Sequence, residues 1–530
     1  MSVDERRRDA ILLPTMLVLF GAISVAIGAD ANWDLRNYHY YNGYAALTGR
    51  LTFDYGAAQV QTYINPFLDV PFFLLVQALP PVAVGFILGA LHGINAWLVF
   101  RISLDVLRPR TERCRELALA FTAVAMGGSA ALSELGTTFH DLTITPLILG
   151  SLLLLVRWRA ETPASVGAAL AAGALIGIGV GLKYTFAVYV PGAAVVVALL
   201  AAPGWWRRLL VTAMWGAGVG MGFAAAAGPW MLRLWRAFGT PTAQYLNDVF
   251  RSPYFEPWNF EDHRFLPKTA LQTVAYPFYF FLSRVPVAGE ARFREARFAV
   301  LYVLIVAVVV KVLLERYSAR RAAEVTGATP TAWARVDVAL LAFMVVSYVM
   351  WQKKFSIYRY LIPLELLAPL VIYLLVCFLV PSQRRRVLVT AILLAAIVLG
   401  MRTPTWVRRD WGRDFFGTSV RAGAVPSTSL VVIATYEPLA FVAPALPPEA
   451  RIVRIQSNFF EPSATTMLAT EIRSIIATHR GPVRLLSHRK HRSLAQRAVS
   501  AYGFRIVTDR CESVTNRMDP EIEVCVLERE

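Results

Sequence analysis

The sequence predicts an α-helical polytopic membrane protein that ends in a small α/β domain. Of its 530 residues, 56% are hydrophobic and 17% are charged. A water-soluble domain has about 45–50% apolar and about 25% charged residues, so this chain has too few polar groups to cover a water-facing surface. Apolar stretches close to the length of about 20 residues that crosses a bilayer also recur along residues 1–403.

Eleven of these stretches are expected to be transmembrane helices. They are 11–28, 82–107, 116–132, 142–156, 164–181, 184–202, 209–231, 297–314, 336–351, 360–380 and 387–402. The apolar segment 269–283 is short for a span and contains Pro277, so we expect a re-entrant or surface helix there. The predicted transmembrane domain, 1–403, then has a first outside loop at 29–81 and a long outside loop at 232–296.

Basic residues predict the orientation of these helices. They concentrate in alternate short connections, as at Arg6 to Arg8, Arg207 to Arg208 and Arg384 to Arg386, which the positive-inside rule places in the cytoplasm. We therefore expect a multi-pass protein of a bacterial inner (plasma) membrane with a cytoplasmic N-terminus. An odd number of spans places the C-terminal domain outside, in the periplasm of a Gram-negative cell.

From residue 404 the composition becomes that of a water-soluble module. Five strand-like runs alternate with helical stretches near 463–478 and 493–502, which is typical of a small α/β domain. Residues 404–530 hold 17 Lys+Arg and 13 Asp+Glu, only +4 of the total +17, so no nucleic-acid partner is expected. Cys511 and Cys525 lie in this domain, where an oxidising compartment permits a disulfide, although the sequence leaves the pairing open.

The first outside loop is dense in aromatic, amide and acidic residues. It contains DANWDLRNYHYYNGY, in which Asp34 lies six residues beyond the apolar stretch 11–28. Aromatic rings stack on sugars and amides bond hydroxyl groups, so this composition favours a polar ligand site. An aromatic belt at the membrane interface accounts for the Tyr and Trp residues but poorly for the acid.

These features together resemble the GT-C integral-membrane glycosyltransferases that use polyprenyl-phosphate sugars. The resemblance rests on one span, a long first loop with an acid near its start, a many-helix body and an outside C-terminal domain. Its motif is Asp34 with the segment Tyr38 to Tyr44. It implies inverting hexosyl or pentosyl transfer, with Asp34 as the catalytic base and Asp30 or Asp54 as substitutes. The implied partners are a polyprenyl-phosphate-linked sugar donor, a lipid or glycan acceptor of the cell envelope, and membrane lipid.

The chemistry of such a transfer fits this placement. A carboxylate at the water boundary can take the proton of an attacking hydroxyl, a contribution of about 10²–10⁴-fold. The departing lipid phosphate gains negative charge, which Arg or Lys can stabilise. Arg359 is the first candidate because it enters an apolar run and needs a counter-ion there, for which Glu365 is one choice. Lys183, between two apolar segments, is the second.

Further substrate contacts are predicted at outside boundaries. They are Lys354 and Tyr358 beside Arg359, Tyr38, Tyr41 and Asp54 in the first loop, and Tyr245 and Asn247 in the long loop. Lysines at an interface usually only extend their charge toward water, so Lys354 has an ordinary explanation as well. Glu290, Arg294 and Arg297, at the entry to the next helix, are expected to form a structural ion-pair cluster.

The turn SELGTTFHD places Glu134, His140 and Asp141 together as a second acidic site. Their spacing matches no specific metal motif, so an ordinary satisfied turn is favoured and no metal ligand is assigned. A divalent metal ion remains an open alternative as the cofactor.

Two other functions remain as alternatives. A transporter or flippase usually has acids and broken helices near the bilayer midplane, whereas the polar residues here gather at one face. A polysaccharide polymerase or ligase that uses lipid-linked sugars normally depends on Arg and His in a large outside loop. Arg251, His263 and Arg264 in the long loop keep that alternative open.

Overall fold

A computed structural model describes residues 3–158, 165–201, 204–282, 287–322, 334–458 and 461–530. Its first part is a body of helices. They are α1 (Val3–Ile27), α2 (Tyr40–Thr48), α3 (Asp69–Ala78), α4 (Pro81–Leu107), α5 (Cys114–Met126), α6 (Ser129–Ser133), α7 (Asp141–Val156), α8 (Ser165–Leu182), α9 (Tyr189–Leu200), α10 (Trp205–Phe238), α11 (Asn247–Phe250), α12 (Ala270–Leu282), α13 (Arg297–Ala322), α14 (Arg335–Lys354), α15 (Ile362–Leu379) and α16 (Gln383–Gly400).

Each of the eleven predicted stretches is helical over most of its length. Residue 202 of the stretch 184–202, residue 164 of 164–181 and residue 283 of the segment 269–283 lie outside the described residues. Within the described ranges, five helices are long and apolar enough to cross a membrane, and shorter apolar helices accompany them. Large apolar side chains on their surface are open, as at Val303, Leu313 and Leu314 of α13, which are 54–61% exposed. Such surfaces are stable in lipid, so the chain is an α-helical membrane protein.

Close backbone packing joins α8 and α10. A Cβ atom on Gly173 would lie 2.0 Å from the carbonyl oxygen of Trp215, and one on Gly177 would lie 2.1 Å from that of Val219. Only glycine allows this approach, which explains the four-residue spacing of glycines in α8. At the centre of the body, α15 is buried along nearly its whole length.

The predicted span 116–132 is two helices rather than one. The chain breaks at Gly127 and Gly128, and α6 restarts against a buried acid: the amide N–H groups of Ala130 and Ala131 donate to the Glu365 carboxylate at 3.1 and 2.9 Å. A side chain at Gly128 would overlap Glu365. Free N–H groups at a helix start attract a carboxylate, and this attraction explains the break.

The C-terminal domain is the expected α/β module. Its strands are β3 (Leu430–Ala434), β4 (Arg451–Gln456), β5 (Val483–His488), β6 (Phe504–Ser513) and β7 (Ile522–Arg529), in the order β4-β3-β5-β7-β6. The β3 strand runs parallel to β4 and β5, whereas β7 is antiparallel to β5 and β6. Two helices, α17 (Met467–Thr478) and α18 (Arg492–Ser500), pack on this sheet. A short pair, β1 (Ala29–Asp30) and β2 (Arg408–Arg409), connects the domain to the end of α1.

The first loop is held by this domain. Tyr55 forms a parallel bridge with Val453 of β4. The Arg454 side chain is 1% exposed, and it donates to the carbonyl oxygens of Ala57 at 3.0 Å and Thr435 at 2.6 Å. Burial lowers the pKa of Arg454 to about 9. A buried guanidinium needs such partners, so Arg454 fixes the loop backbone to the sheet.

A disulfide joins Cys511 of β6 to Cys525 of β7, directly opposite in the antiparallel ladder. We expect mass spectrometry of the denatured, unreduced protein to show alkylation of Cys114 and Cys377 only. Because the bridge closes a short loop, Cys525→Ser should destabilise the domain by about 3 kcal/mol. Alkylation of all four cysteines without reductant would contradict the pairing.

Candidate functional site

Arg359 lies among three acids at the end of the helical body that faces the C-terminal domain. Its Nη1 donates to Asp141 Oδ2 at 2.9 Å. Its Nη2 lies 3.5 Å from Glu290 Oε1 and 3.7 Å from Asp34 Oδ2. The Nε atom is buried without a hydrogen-bond partner among the described residues. The guanidinium therefore has one strong bond, two longer contacts to acids, and one buried N–H without a partner among the described residues.

Lys183 is the second cation of this cluster. Its Nζ lies 2.6 Å from Asp141 Oδ1 and donates to the Phe139 carbonyl oxygen at 2.8 Å. Asp141 is thus held between two cations with its side chain fully buried. The Arg359 guanidinium also lies over the rings of Phe139 and Tyr360, at 4.8 and 4.9 Å from their centroids. Aromatic faces stabilise cations, so these rings help to position Arg359.

Asp34 approaches the cluster from the first loop. It directly precedes a π-helical turn, Leu35–His39, and its Oδ2 accepts a hydrogen bond from the Tyr38 hydroxyl at 3.2 Å. Its side chain is 15% exposed. Burial raises the pKa of Asp34, while the positive charges of Arg359 and Lys183 act in the opposite direction. A carboxylate with a raised pKa is a stronger base than an exposed one.

The ends of four elements bring these side chains together. Asp34 follows α1, Asp141 begins α7, Lys183 follows α8 and Arg359 lies in a 3₁₀ turn, Tyr358–Leu361, before α15. The N-terminal position of Asp141 suits a carboxylate because free N–H groups concentrate positive charge there. Charged groups are costly in the middle of membrane-spanning helices, and they are more stable at the helix ends, where these residues lie.

The turn SELGTTFHD also contains Glu134 and His140, which have their own partners near Asp141. Glu134 is buried, and its carboxylate accepts a hydrogen bond from the Leu142 amide at 3.3 Å. Burial, together with the nearby Asp141 charge, raises the pKa of Glu134 well above its ordinary value. His140 instead faces Asp69 of α3, at 2.9 Å. The predicted second acidic site is therefore connected to the Arg359 cluster through Asp141.

Several predicted contacts in the first loop have structural partners instead. Arg50 makes two bonds to Asp54, at 2.6 and 2.9 Å, and the Tyr41 hydroxyl donates to Asp54 at 2.9 Å. Asp54 also accepts from the Ile452 amide of β4, so this group anchors the loop to the sheet. Asp30, the other substitute base, accepts from the amide and hydroxyl of Thr138 at 2.9 and 3.0 Å.

Glu365, one of the candidate partners of Arg359, pairs with Arg297 instead. Glu365 accepts from the Tyr358 hydroxyl at 2.6 Å and lies 3.8 Å from Arg297, deep in the body. It is needed there because Arg297 is fully buried and also faces Glu295, at 3.6 Å. Tyr358 belongs to this structural cluster.

Glu290, Arg294 and Arg297 do not form the predicted cluster with one another. Of the three, Arg297 lies in a structural ion-pair cluster, with Glu295 and Glu365. Glu290 belongs to the Arg359 site. The backbone of Arg294 pairs with Arg402.

The predicted long-loop and interfacial contacts also have local partners. The Asn247 amide donates to the carbonyl oxygens of Ser252 and Glu256, at 3.0 and 2.8 Å, and so holds the loop turn. Lys354 is exposed and lies 3.4 Å from Glu261. The Tyr245 ring packs edge-on near Tyr184, with centroids 6.2 Å apart.

Sequence reasoning missed three residues close to the site: Glu290, His39 and Asp69. His39 Nδ1 lies 2.6 Å from Asp69 Oδ1, and burial lowers the pKa values of His39 and His140 to about 3. His39 stands five residues after Asp34, so its position in the aromatic loop was an available signal. Asp69 follows a proline-containing stretch, and nothing local distinguishes it from a helix cap.

No family model matches the sequence, and no curated protein matches it. Among solved structures, ArnT from Cupriavidus metallidurans bound to undecaprenyl phosphate is similar, with 12% identity, a TM-score of 0.49 and coverage of 98% of this chain and 97% of that chain. An oligosaccharyltransferase from Archaeoglobus fulgidus in the apo form has 11% identity and a TM-score of 0.42, over 93% of this chain and 71% of that chain. Neither similarity identifies a substrate or a catalytic residue of this chain.

If Asp54 is an anchor, its removal should affect folding first. Asp54→Ala leaves the Arg50 charge buried without its partner, at a cost of about 3–5 kcal/mol. We expect a clearly lower thermal unfolding midpoint in detergent and faster proteolysis of the C-terminal domain. Glu528→Ala, which removes an exposed pair with Arg505, is the matched control and should cost at most about 1 kcal/mol. Equal midpoints for the two variants would contradict the anchoring role.

Proposed function

We propose that the chain is a glycosyltransferase that moves a sugar from a polyprenyl-phosphate donor to an acceptor hydroxyl on an extracytoplasmic glycan or lipid. The observation that carries the proposal is the pair Asp34 and Arg359. A carboxylate with a raised pKa lies 3.7 Å from a guanidinium that has one buried N–H without a partner among the described residues. A base and an anion site are thus within reach of one small substrate, at the boundary of an apolar body.

Arg359 and Lys183 are the residues that we propose for the donor phosphate. Arg359 can present Nε and Nη2 to phosphate oxygens while Nη1 keeps its bond to Asp141. A guanidinium binds phosphate through paired hydrogen bonds, whereas an ammonium acts as a point charge. The polyprenyl chain would extend along the surface of the helices, which exposes large apolar side chains.

The proposed reaction needs one proton acceptor and one leaving group. The acceptor oxygen attacks the anomeric carbon and forms the new C–O bond while its proton passes to Asp34. The bond from the anomeric carbon to the phosphate oxygen breaks, and the polyprenyl phosphate leaves with the electron pair. Arg359 and Lys183 stabilise the charge that develops on it. Attack opposite to the leaving group inverts the anomeric configuration.

The two alternative functions, a polysaccharide polymerase or ligase and a transporter, receive less support from the residues on which each would depend. His263 and Arg264, which a polymerase or ligase would use, are 64% and 71% exposed and pair with the neighbouring Glu261 and Asp262. The charged residues of the Arg359 cluster lie at helix ends rather than halfway along the helices, where a transporter would bind its substrate.

Asp34→Asn tests the assigned base. It preserves the size and most hydrogen bonds of the side chain but cannot take a proton. With labelled polyprenyl-phosphate sugars and native membrane lipids as acceptors, we expect transfer to fall by about 10²–10⁴-fold. Asp262→Asn, in an exposed part of the long loop, should retain the wild-type rate. Wild-type turnover by a correctly inserted Asp34→Asn protein would exclude Asp34 as the base.

The pH profile is a second readout of the same test. Only the ionised carboxylate accepts a proton, so activity should be complete above the pKa of Asp34 and disappear as the pH falls through it. Because burial raises that pKa above 3.8, the acid limb should lie above this value. The residual activity of Asp34→Asn should not fall in this pH range. If it falls as in the wild-type protein, a group other than Asp34 causes the acid limb.

A further inference from the structure

Three side chains of the kind that bind metal ions meet beside Asp34 and Tyr38. His39 Nδ1 and His140 Nε2 lie 2.6 and 2.9 Å from the same oxygen, Oδ1 of Asp69. The donor atoms all lie within 4.8 Å of one another. Each comes from a different element: His39 ends the π-helical turn, Asp69 begins α3, and His140 directly precedes α7.

This group is enclosed. The side chains of His39 and Asp69 are both 2% exposed, and that of His140 is 15% exposed. The His140 backbone has a φ of 68°, a left-handed conformation that non-glycine residues rarely adopt. Such a conformation persists where the surroundings enforce it. Here it places the imidazole against Asp69.

The charge balance of the surroundings also calls for a cation. Asp34, Asp141 and Glu290 surround Arg359, and Asp141 also contacts Lys183. These three acids already exceed the two cations, and Asp69 adds a fourth negative charge close by. A buried carboxylate in such surroundings is costly unless a positive charge accompanies it.

We propose that His39, Asp69 and His140 form a binding site for a divalent transition-metal ion of the zinc class. Two imidazole nitrogens and one carboxylate oxygen are ligands that Zn²⁺ accepts at about 2.0–2.2 Å, with a fourth position left for water or a substrate oxygen. Tetrahedral geometry at these lengths separates the donor atoms by about 3.3 Å. The two contacts of Asp69 Oδ1, at 2.6 and 2.9 Å, are shorter than this separation, so the side chains have to adjust when the ion enters.

This site goes beyond the proposed transfer and does not depend on it. The ion would lie on the Tyr38 side of Asp34, because the Tyr38 and His39 rings have centroids 4.0 Å apart. Its charge would offset the excess of acids around Arg359. The alternative role for the three residues is a hydrogen-bonded group that only ties the first loop to α3 and α7.

Metal content distinguishes these two roles. The full chain, purified in detergent with an affinity tag that lacks histidine, is stripped with a chelator, loaded with Zn²⁺ and passed through a desalting column. We expect mass spectrometry of the metal to give one tightly bound ion per chain. Loading with Co²⁺ instead should give the visible absorption of a tetrahedral site with nitrogen ligands.

Variants assign the ion to these residues. His39→Gln combined with His140→Gln should lose it, whereas His263→Gln, an exposed histidine outside the group, should retain it. Asp34→Asn should also keep one ion while it loses transfer, so failure of the metal site and failure of the proposed function are separable. No ion in the wild-type protein, or the same content in the double variant, would overturn the proposal. The wild-type measurement stands even where the double variant does not fold.

Discussion

The pairing of Arg359 with acids from distant parts of the chain is the constraint on which the site depends. A guanidinium that is 12% exposed at the entry to the most buried helix requires nearby negative charge. Asp141, Glu290 and Asp34 provide it from the start of α7, the segment before α13 and the first loop. The loops at this end of the body therefore have to meet around Arg359. The three acids outnumber Arg359 and Lys183, so the cluster favours an additional positive charge close by.

The C-terminal domain serves this arrangement as a scaffold. Its β4 strand bonds to the first loop through Arg454, and the buried Arg50 and Asp54 pair attaches the same loop to the start of that strand. Gln59, which has a left-handed backbone, donates to the carbonyl oxygen of Tyr436 at 3.1 Å. The segment that carries Asp34 is thus fixed at one end by α1 and at the other by a folded domain, as a preorganised site requires. These contacts give the C-terminal domain a structural role.

The sequence predicted the helices and three of the central charged residues for the same reason. Lys183, Arg359 and Asp141 are charges at the edges of apolar runs, and such charges are costly without partners. What could not be predicted is which partner each charge has. Asp141 and Arg359 are 218 residues apart, and no periodicity records that contact. Glu365 was a wrong choice for Arg359 because it was near in sequence, whereas the fully buried Arg297 and the start of α6 require it elsewhere.

The most direct test of the central claim is a structure of the full chain in a lipid nanodisc with undecaprenyl phosphate. The phosphate should lie between Arg359 and Lys183, with an oxygen about 2.7–2.9 Å from a guanidinium nitrogen. Asp34 should then face the side of the phosphate where the sugar would be attached. A phosphate bound elsewhere, with Arg359 still enclosed by its three acids, would contradict the account.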